Sequence, residues 1–319
     1  MFRRILVPLD GSHHAERAIP MASRIAQAFG SSVIMLHVAV PPVGSGKFSV
    51  PEEFPKVGTD EELAETTEYL KILAQSDELS GIKTEVQTLV GAVAPTILSA
   101  TQSLHADLIV LCSHGYTGFK HWMLGSVAEK VIRHTPIPVI VLRDGGPETV
   151  TAVGAPVRAL VPLDGSSLSE AILEPAATLI AGLAKATSQH GALQLMRVVD
   201  IPSGFGKFRS MVDAHEDAEM REEARQEYEQ YMEAVAKRFS EGALAKYNLV
   251  ITTIVATDHD VAEVIVRTAE QEKVDFIAMA THGYGGLQHW ALGSITERVL
   301  HATRLPLFIT RHHDGLNQA

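Results

Sequence analysis

Apolar positions along this chain follow two alternating rhythms. Short, nearly unbroken apolar runs, Ile5-Leu6-Val7, Val33 to Val38, Leu108 to Leu111 and Ile137 to Leu142, read as buried strands. Ile82 to Leu89 alternates instead, with Lys83, Glu85 and Gln87 on an outward face. Between the runs the spacing turns helical. Ala15, Ala18, Ile19, Ala22, Ile25, Ala26 and Phe29 share one face, with Pro20 expected to kink the helix and Gly30 to stop it. Further helices are expected over roughly Asp60–Leu79, from Gly91 to about Leu104, and over Gly125–His134. The segment from Val40 to Thr59, rich in Pro and Gly, reads as a loop.

The same grammar then runs a second time. Strands are expected near 157–162, 192–199, 249–255, 275–280 and 306–310, and helices near 168–188, 213–240, 260–271 and 294–302. Two anchors prove the repetition. Leu6 to Ser12, reading Leu-Val-Pro-Leu-Asp-Gly-Ser, returns residue for residue as Leu160 to Ser166. Cys112-Ser113-His114-Gly115, followed after nine residues by Gly125-Ser126-Val127, returns as Ala280-Thr281-His282-Gly283 and then Gly293-Ser294-Ile295. Across Cys112–Thr135 and Ala280–Thr303, 12 of 24 positions are identical without a gap, so the likeness is not a matter of composition. Each copy is far longer than a solenoid repeat and is expected to be a domain with its own core, over 1–146 and 156–312. Strands alternating with helices, the strands almost wholly apolar, predict an α/β fold: two tandem doubly wound domains with helices on both faces of a parallel sheet.

In such sheets ligands bind beyond the carboxyl ends of the strands, at the switch point. Both anchors sit at such ends. The Asp10 turn follows the first strand, and the Gly115–Ser126 loop follows the fourth and opens a helix, where backbone N–H groups and the helix dipole favour an anion. Composition narrows the chemistry. A net charge of −11 over 319 residues argues against a nucleic-acid binder. One cysteine, Cys112, leaves no intrachain disulfide framework and suits a reducing compartment. Met1-Phe2-Arg3-Arg4 runs directly into a strand, and no apolar run reaches spanning length, so the expectation is cytoplasmic, without a membrane partner.

Val-Pro-Leu-Asp-Gly-Ser after the first strand, together with Gly-x9-Gly-Ser after the fourth, resembles the universal stress protein family in its tandem, two-domain form. The resemblance covers roughly residues 2–143 and 157–311. It implies a five-stranded parallel sheet of order 3-2-1-4-5 in each domain, and binding of ATP with Mg2+. In the first domain it gives Pro8 and Val38 to adenine, Asp10 to the ribose hydroxyls, and Gly115, Gly125, Ser126 and Val127 to the phosphates. In the second the matching residues are Pro162, Val198 and Asp164, then Gly283, Gly293, Ser294 and Ile295. The family's first loop glycine is Cys112 here and Ala280 in the second copy, each adding a Cβ beside the ribose and phosphates. The resemblance also implies a homo-oligomer, a dimer of tandem chains, with protein partners it does not name.

Structural duties compete for the same residues. Asp10 and Asp164 could cap the first helix, Ser126 and Ser294 are natural N-caps, and the loop glycines could serve only the turn. Enzyme signatures are not found. The loop lacks the lysine of a Walker A motif, no G-x-S-x-G elbow occurs, and none of the 15 histidines has a strong metal-ligand spacing. No catalytic residue and no protein metal site is expected, and any ATP hydrolysis would be slow. Two function classes fit: an ATP-binding stress regulator acting through nucleotide-dependent conformation or partner binding, and a scaffold with one or both sites empty.

Overall fold

A computed structural model describes residues 1–40, 60–113, 124–143, 146, 156–199, 213–281 and 292–311. The chain forms two compact units, Met1–Glu148 and Thr149–Ala319.

The first unit runs β1 (Arg4–Leu9), α1 (His13–Glu16), α2 (Ala18–Phe29), β2 (Ser32–Ala39), α3 (Asp60–Ala74), β3 (Thr84–Val90), α4 (Val93–Ser103), β4 (Leu108–Cys112), α5 (Ser126–His134) and β5 (Val139–Leu142). Every strand pair is parallel. β1 lies between β2 and β4, β3 pairs β2 from outside, and β5 pairs β4, which is the order 3-2-1-4-5. Successive residues Ile5, Leu6 and Val7 are all fully buried, as are Leu108, Ile109 and Val110, so both faces of the central strands are covered. That is why these strands read as continuous apolar runs rather than as alternation.

The second unit repeats the plan: β6 (Val157–Pro162), α6 (Ser167–Glu170), α7 (Leu173–Ala186), β7 (Gly191–Val199), α8 (Asp213–Glu241), β8 (Val250–Thr257), α9 (Val261–Gln271), β9 (Phe276–Ala280), α10 (Ser294–Ala302) and β10 (Leu307–Thr310). β6 sits between β7 and β9, flanked by β8 and β10, all parallel. By length and composition Ser167–Ala186 could cross a membrane. Here Leu173, Leu179, Ile180 and Leu183 are core residues, and α7 packs on β6 and β7.

Two sequence expectations need correction. The helix over 15–29 is not kinked at Pro20. It is broken at Arg17, between α1 and α2, and Pro20 then stands in the first turn of α2, where its missing N–H removes no helical hydrogen bond. The second unit does the same, α6 ending before α7, with Pro175 in the first turn. Glu85 does not simply face outward either. Arg4 bonds both its oxygens at 3.1 and 2.9 Å while donating its Nε–H to the Leu104 carbonyl at 2.7 Å. The guanidinium thereby ties the start of β1 to β3 and to the end of α4, and it holds the Glu85 carboxyl below the ordinary range.

The starts of the central strands are pinned by a repeated device. Asp107 accepts the backbone N–H groups of Arg3 and Arg4 at 2.8 and 2.9 Å, and Asp275 accepts that of Arg158 at 2.7 Å. Beside the first pin Phe2 is fully buried, its ring edge-on to Phe29 with centroids 5.3 Å apart. Phe2→Ala should remove ~3–5 kcal/mol from the stability of the first unit. Urea unfolding followed by circular dichroism checks this, and a transition identical to that of the parent would contradict the packing described.

Candidate functional site

β1 ends and the chain turns sharply through Asp10-Gly11-Ser12. Gly11 has φ 83°, in the left-handed region that favours glycine. Asp10 Oδ1 accepts the N–H of Ser12 at 3.0 Å and its hydroxyl at 2.6 Å. Ser12 Oγ in turn accepts the N–H of Ala15 at 3.2 Å, capping α1. Asp10 therefore does not cap the helix itself. It orients the serine that does. The second unit copies each step: Gly165 has φ 86°, Asp164 Oδ1 accepts the N–H and hydroxyl of Ser166 at 2.9 and 2.6 Å, and Ser166 Oγ accepts Ser169 N–H at 3.1 Å.

The other anchor forms across β4. Ser113 N–H donates to the Leu142 carbonyl at 2.8 Å, and Gly125 N–H donates to the Ser113 carbonyl at 2.7 Å. The loop's two ends are thus closed on each other. Gly293 N–H does the same to Thr281 O in the second unit, at 2.6 Å. Gly125 and Gly293, not the serines, are the N-cap residues, and neither cap position bonds through a side chain. Ser126 and Ser294 are the first helical residues. Gly125 has φ −62° and Gly293 φ −58°, which any residue can adopt, so the turn backbone does not explain glycine there. Since Gly125 N–H is already used, the N–H groups open to an anion are those of Ser126 and Val127, which the helix itself leaves without acceptors.

These pieces converge in the first unit on one cavity of about 530 Å³. Its wall brings together Pro8, Asp10 and Val38 on one side with Cys112, Gly125, Ser126 and Val127 on the other. The ladder between β1 and β2 ends at Leu9 and His37, and β2 continues past it through Val38 and Ala39. Cys112 Sγ lies 3.9 Å from the Ala15 carbonyl, holding the end of β4 to α1. Gly115 and Gly283, and the histidine–tryptophan pairs at 121–122 and 289–290, lie outside the described residues. In the second unit Pro162 and Asp164 end β6, Val198 lies in β7, Ala280 ends β9, and Ser294 and Ile295 open α10. β6 and β9 are neighbours, so these ends adjoin.

Among the polar wall residues His37, Glu62 and Thr66 escaped the sequence reading. His37 precedes Val38 on β2, and its ring donates to the Leu9 carbonyl while Nδ1 is buried without a partner. Burial is the largest influence and lowers its pKa below the ordinary 6.5, against the pull of Asp10 and Glu62. Glu62 and Thr66 stand one turn apart on α3, and Tyr69 follows on the same face. Tyr69 Oη donates to Glu16 Oε1 at 2.5 Å, and burial together with that bond pushes its hydroxyl pKa up. Spacing 62, 66, 69 was the available signal, but nothing in a sequence says which face of a charged helix looks into a crevice.

A comparison with protein families matches the universal stress protein family over residues 1–143 and 157–311. The chain belongs to the universal stress protein family. It is a tandem member. A universal stress protein of Mycobacterium tuberculosis is 26% identical over 315 residues, covering 96% of both chains. A single-domain relative from Thermus aquaticus is 34% identical over 145 residues, all of that protein against 45% of this one. Among solved structures, a universal stress protein from Archaeoglobus fulgidus aligns over 98% of this chain and 97% of its own, with TM-score 0.65 and 20% identity. That likeness speaks for the fold.

His37 yields a pH prediction. Its folded pKa is lowered, so below pH 6.5 the unfolded chain binds a proton that the folded chain resists. The stability contributed by neutral His37 is complete above that value and is lost as pH falls from it through the folded pKa. A histidine-resolved NMR titration should show His37 protonating at lower pH than 6.5, and His37→Gln should flatten the acid loss of stability. A His37 midpoint at or above 6.5 would contradict the burial.

Proposed function

We propose that this tandem universal stress protein binds ATP in the crevice of its first domain and acts as a stress-response regulator whose nucleotide state sets its conformation or its protein contacts. One observation carries the reading: a single cavity presents a fixed aspartate on one wall and the opening turn of a helix on the other. Its volume of about 530 Å³ lies within the usual span of small-molecule sites. Asp10 is oriented through Ser12 and suits ribose hydroxyls, which donate. The N–H groups of Ser126 and Val127, at the positive end of α5, suit phosphate oxygens. Pro8 and Val38 bound the adenine end.

Glycine at 125 supports the same reading. With φ −62° the turn does not require it, whereas close approach of a phosphate to the backbone does. Among the described residues no three His, Cys, Asp or Glu side chains gather around a common point. Mg2+ would therefore be held chiefly by the phosphates, as this ion commonly is. The second domain keeps Asp164, Gly293 and Ser294 in the matching places, so a nucleotide phosphate fits there by the same contacts. We further propose a cytoplasmic location and association into a dimer of tandem chains.

Gly125→Val tests the assignment, because valine can adopt φ −62° yet fills the space a phosphate needs. Calorimetric titration of nucleotide-stripped full-length protein with MgATP should show affinity for the first site falling by about tenfold or more, ~1.4 kcal/mol or greater, with the thermal midpoint nearly unchanged. Mass spectrometry of whatever the purified parent releases on denaturation should find adenine nucleotide. A folded variant that keeps full affinity would overturn the site.

A further inference from the structure

The two domains differ at the strand end remote from the helix turn, where one carries a histidine and the other an arginine. Strand register aligns the first change. Pro8 pairs Leu36 as Pro162 pairs Met196, so Arg197 occupies the place of His37. Both side chains also take the same partner: the His37 ring donates to the Leu9 carbonyl, and Arg197 Nη1 donates to the Leu163 carbonyl at 3.2 Å. A tyrosine clamp aligns the second change. Tyr69 bonds Glu16 from α3, and Tyr231 bonds Glu170 at 2.8 Å from α8, each glutamate lying just beyond its Asp-Gly-Ser turn. Counting back three residues from each tyrosine sets Tyr228 against Thr66, and seven residues sets Ala224 against Glu62.

In the first domain His37, Glu62 and Thr66 all line the cavity. Burial lowers the His37 pKa, and Glu62 brings a carboxylate to the same wall. In the second domain the positions matching Glu62 and His37 are Ala224 and Arg197, so arginine stands in the histidine's place. Arg197 lies with its guanidinium carbon 4.9 Å from the Tyr228 ring centroid, and one terminal nitrogen would be 3.7 Å from a Cβ on Gly165. The Tyr228 ring and the Leu163 bond thus hold the group beside the Asp164 turn. Its Nε is buried without a partner. A guanidinium carries five donors in a rigid fork, and one is used.

A base edge bearing an amino donor suits a carboxylate, and one bearing two acceptors suits arginine. Adenine presents N6–H2 beside N7, while guanine and hypoxanthine present O6 beside N7, the edge that arginine reads in duplexes. Building on the nucleotide reading above, we propose that the second domain selects a 6-oxopurine nucleotide over an adenine nucleotide, with Arg197 as the specificity-determining residue. The two domains of one chain then report on two different nucleotide pools.

The test is calorimetry on the nucleotide-stripped full-length protein with MgATP and MgGTP, in the parent and in Arg197→His, which installs the first domain's residue. The parent should bind one ATP and one GTP per chain, neither displacing the other at moderate excess. Arg197→His should weaken GTP by about tenfold or more and gain a second ATP site. Arg197→Lys should also lose GTP affinity, since it keeps the charge but not the fork. Should Arg197→His fail to fold, Arg197→Gln replaces it with the same expected loss of GTP. Two equivalent ATP sites in the parent, or GTP affinity indifferent to all these variants, would overturn the proposal. ATP at one site with GTP binding nowhere would leave the first-domain assignment standing and sink this one. Arg197-dependent GTP binding without any ATP binding would do the reverse.

Discussion

A carboxylate that accepts both the N–H and the hydroxyl of a serine two residues on is the interaction from which each crevice is built. Asp10 with Ser12, and Asp164 with Ser166, convert the exit of a buried strand into a turn of one defined shape. Hydrogen bonds to a charged acceptor contribute about 1.5–3 kcal/mol each, enough to hold the turn against thermal rearrangement. Everything downstream takes its position from it. The serine caps a one-turn helix, and that helix carries Glu16 or Glu170. The glutamate receives a tyrosine from the helix that forms the crevice's outer wall. Local turn chemistry thereby sets where a helix many residues later must lie.

On the far side the constraint comes from the sheet. β1 and β4 are neighbours because the chain order reverses between them, and their ends border the cavity. The bond from Gly125 N–H to the Ser113 carbonyl closes the loop at its neck and aims the start of α5 into that cavity. Within this shared frame the strand position after Leu36 and Met196 differs between the halves. His37 and Arg197 make the same bond to the strand beside them, yet they offer a ligand opposite things.

Much of this was legible before any coordinates. Buried parallel strands must be apolar on both faces, so their runs, order and duplication could be read directly, and the exact return of Leu6–Ser12 marked the turn. The strand order itself came with the family resemblance. What could not be read was which groups were already spoken for. Nothing in the sequence said that the Gly125 N–H would be taken by the Ser113 carbonyl. Ser126 looked like a cap, but the cap is one residue earlier. Glu85 alternated outward on an edge strand, and only the folded chain brings Arg4 across to it. Pro20 stood inside a helical pattern whose break lies three residues earlier, at Arg17. Each of these depends on a partner distant in sequence or on a one-residue shift at an element's end, where pattern has least resolution. Glu62 and Thr66 were hidden for a related reason, since a charged face is ordinarily solvated.

The duplication within one chain has a genetic consequence. In an assembly of identical single-domain copies, one codon sets a position in every copy, so a charge gained in one crevice is gained in all. Here positions 37 and 197 are separate codons, and selection can act on either while the other keeps its original role. The frame that both halves share need not change for this to happen. A covalent tandem thus lets the two halves diverge while their expression stays locked at one to one, which identical subunits cannot do.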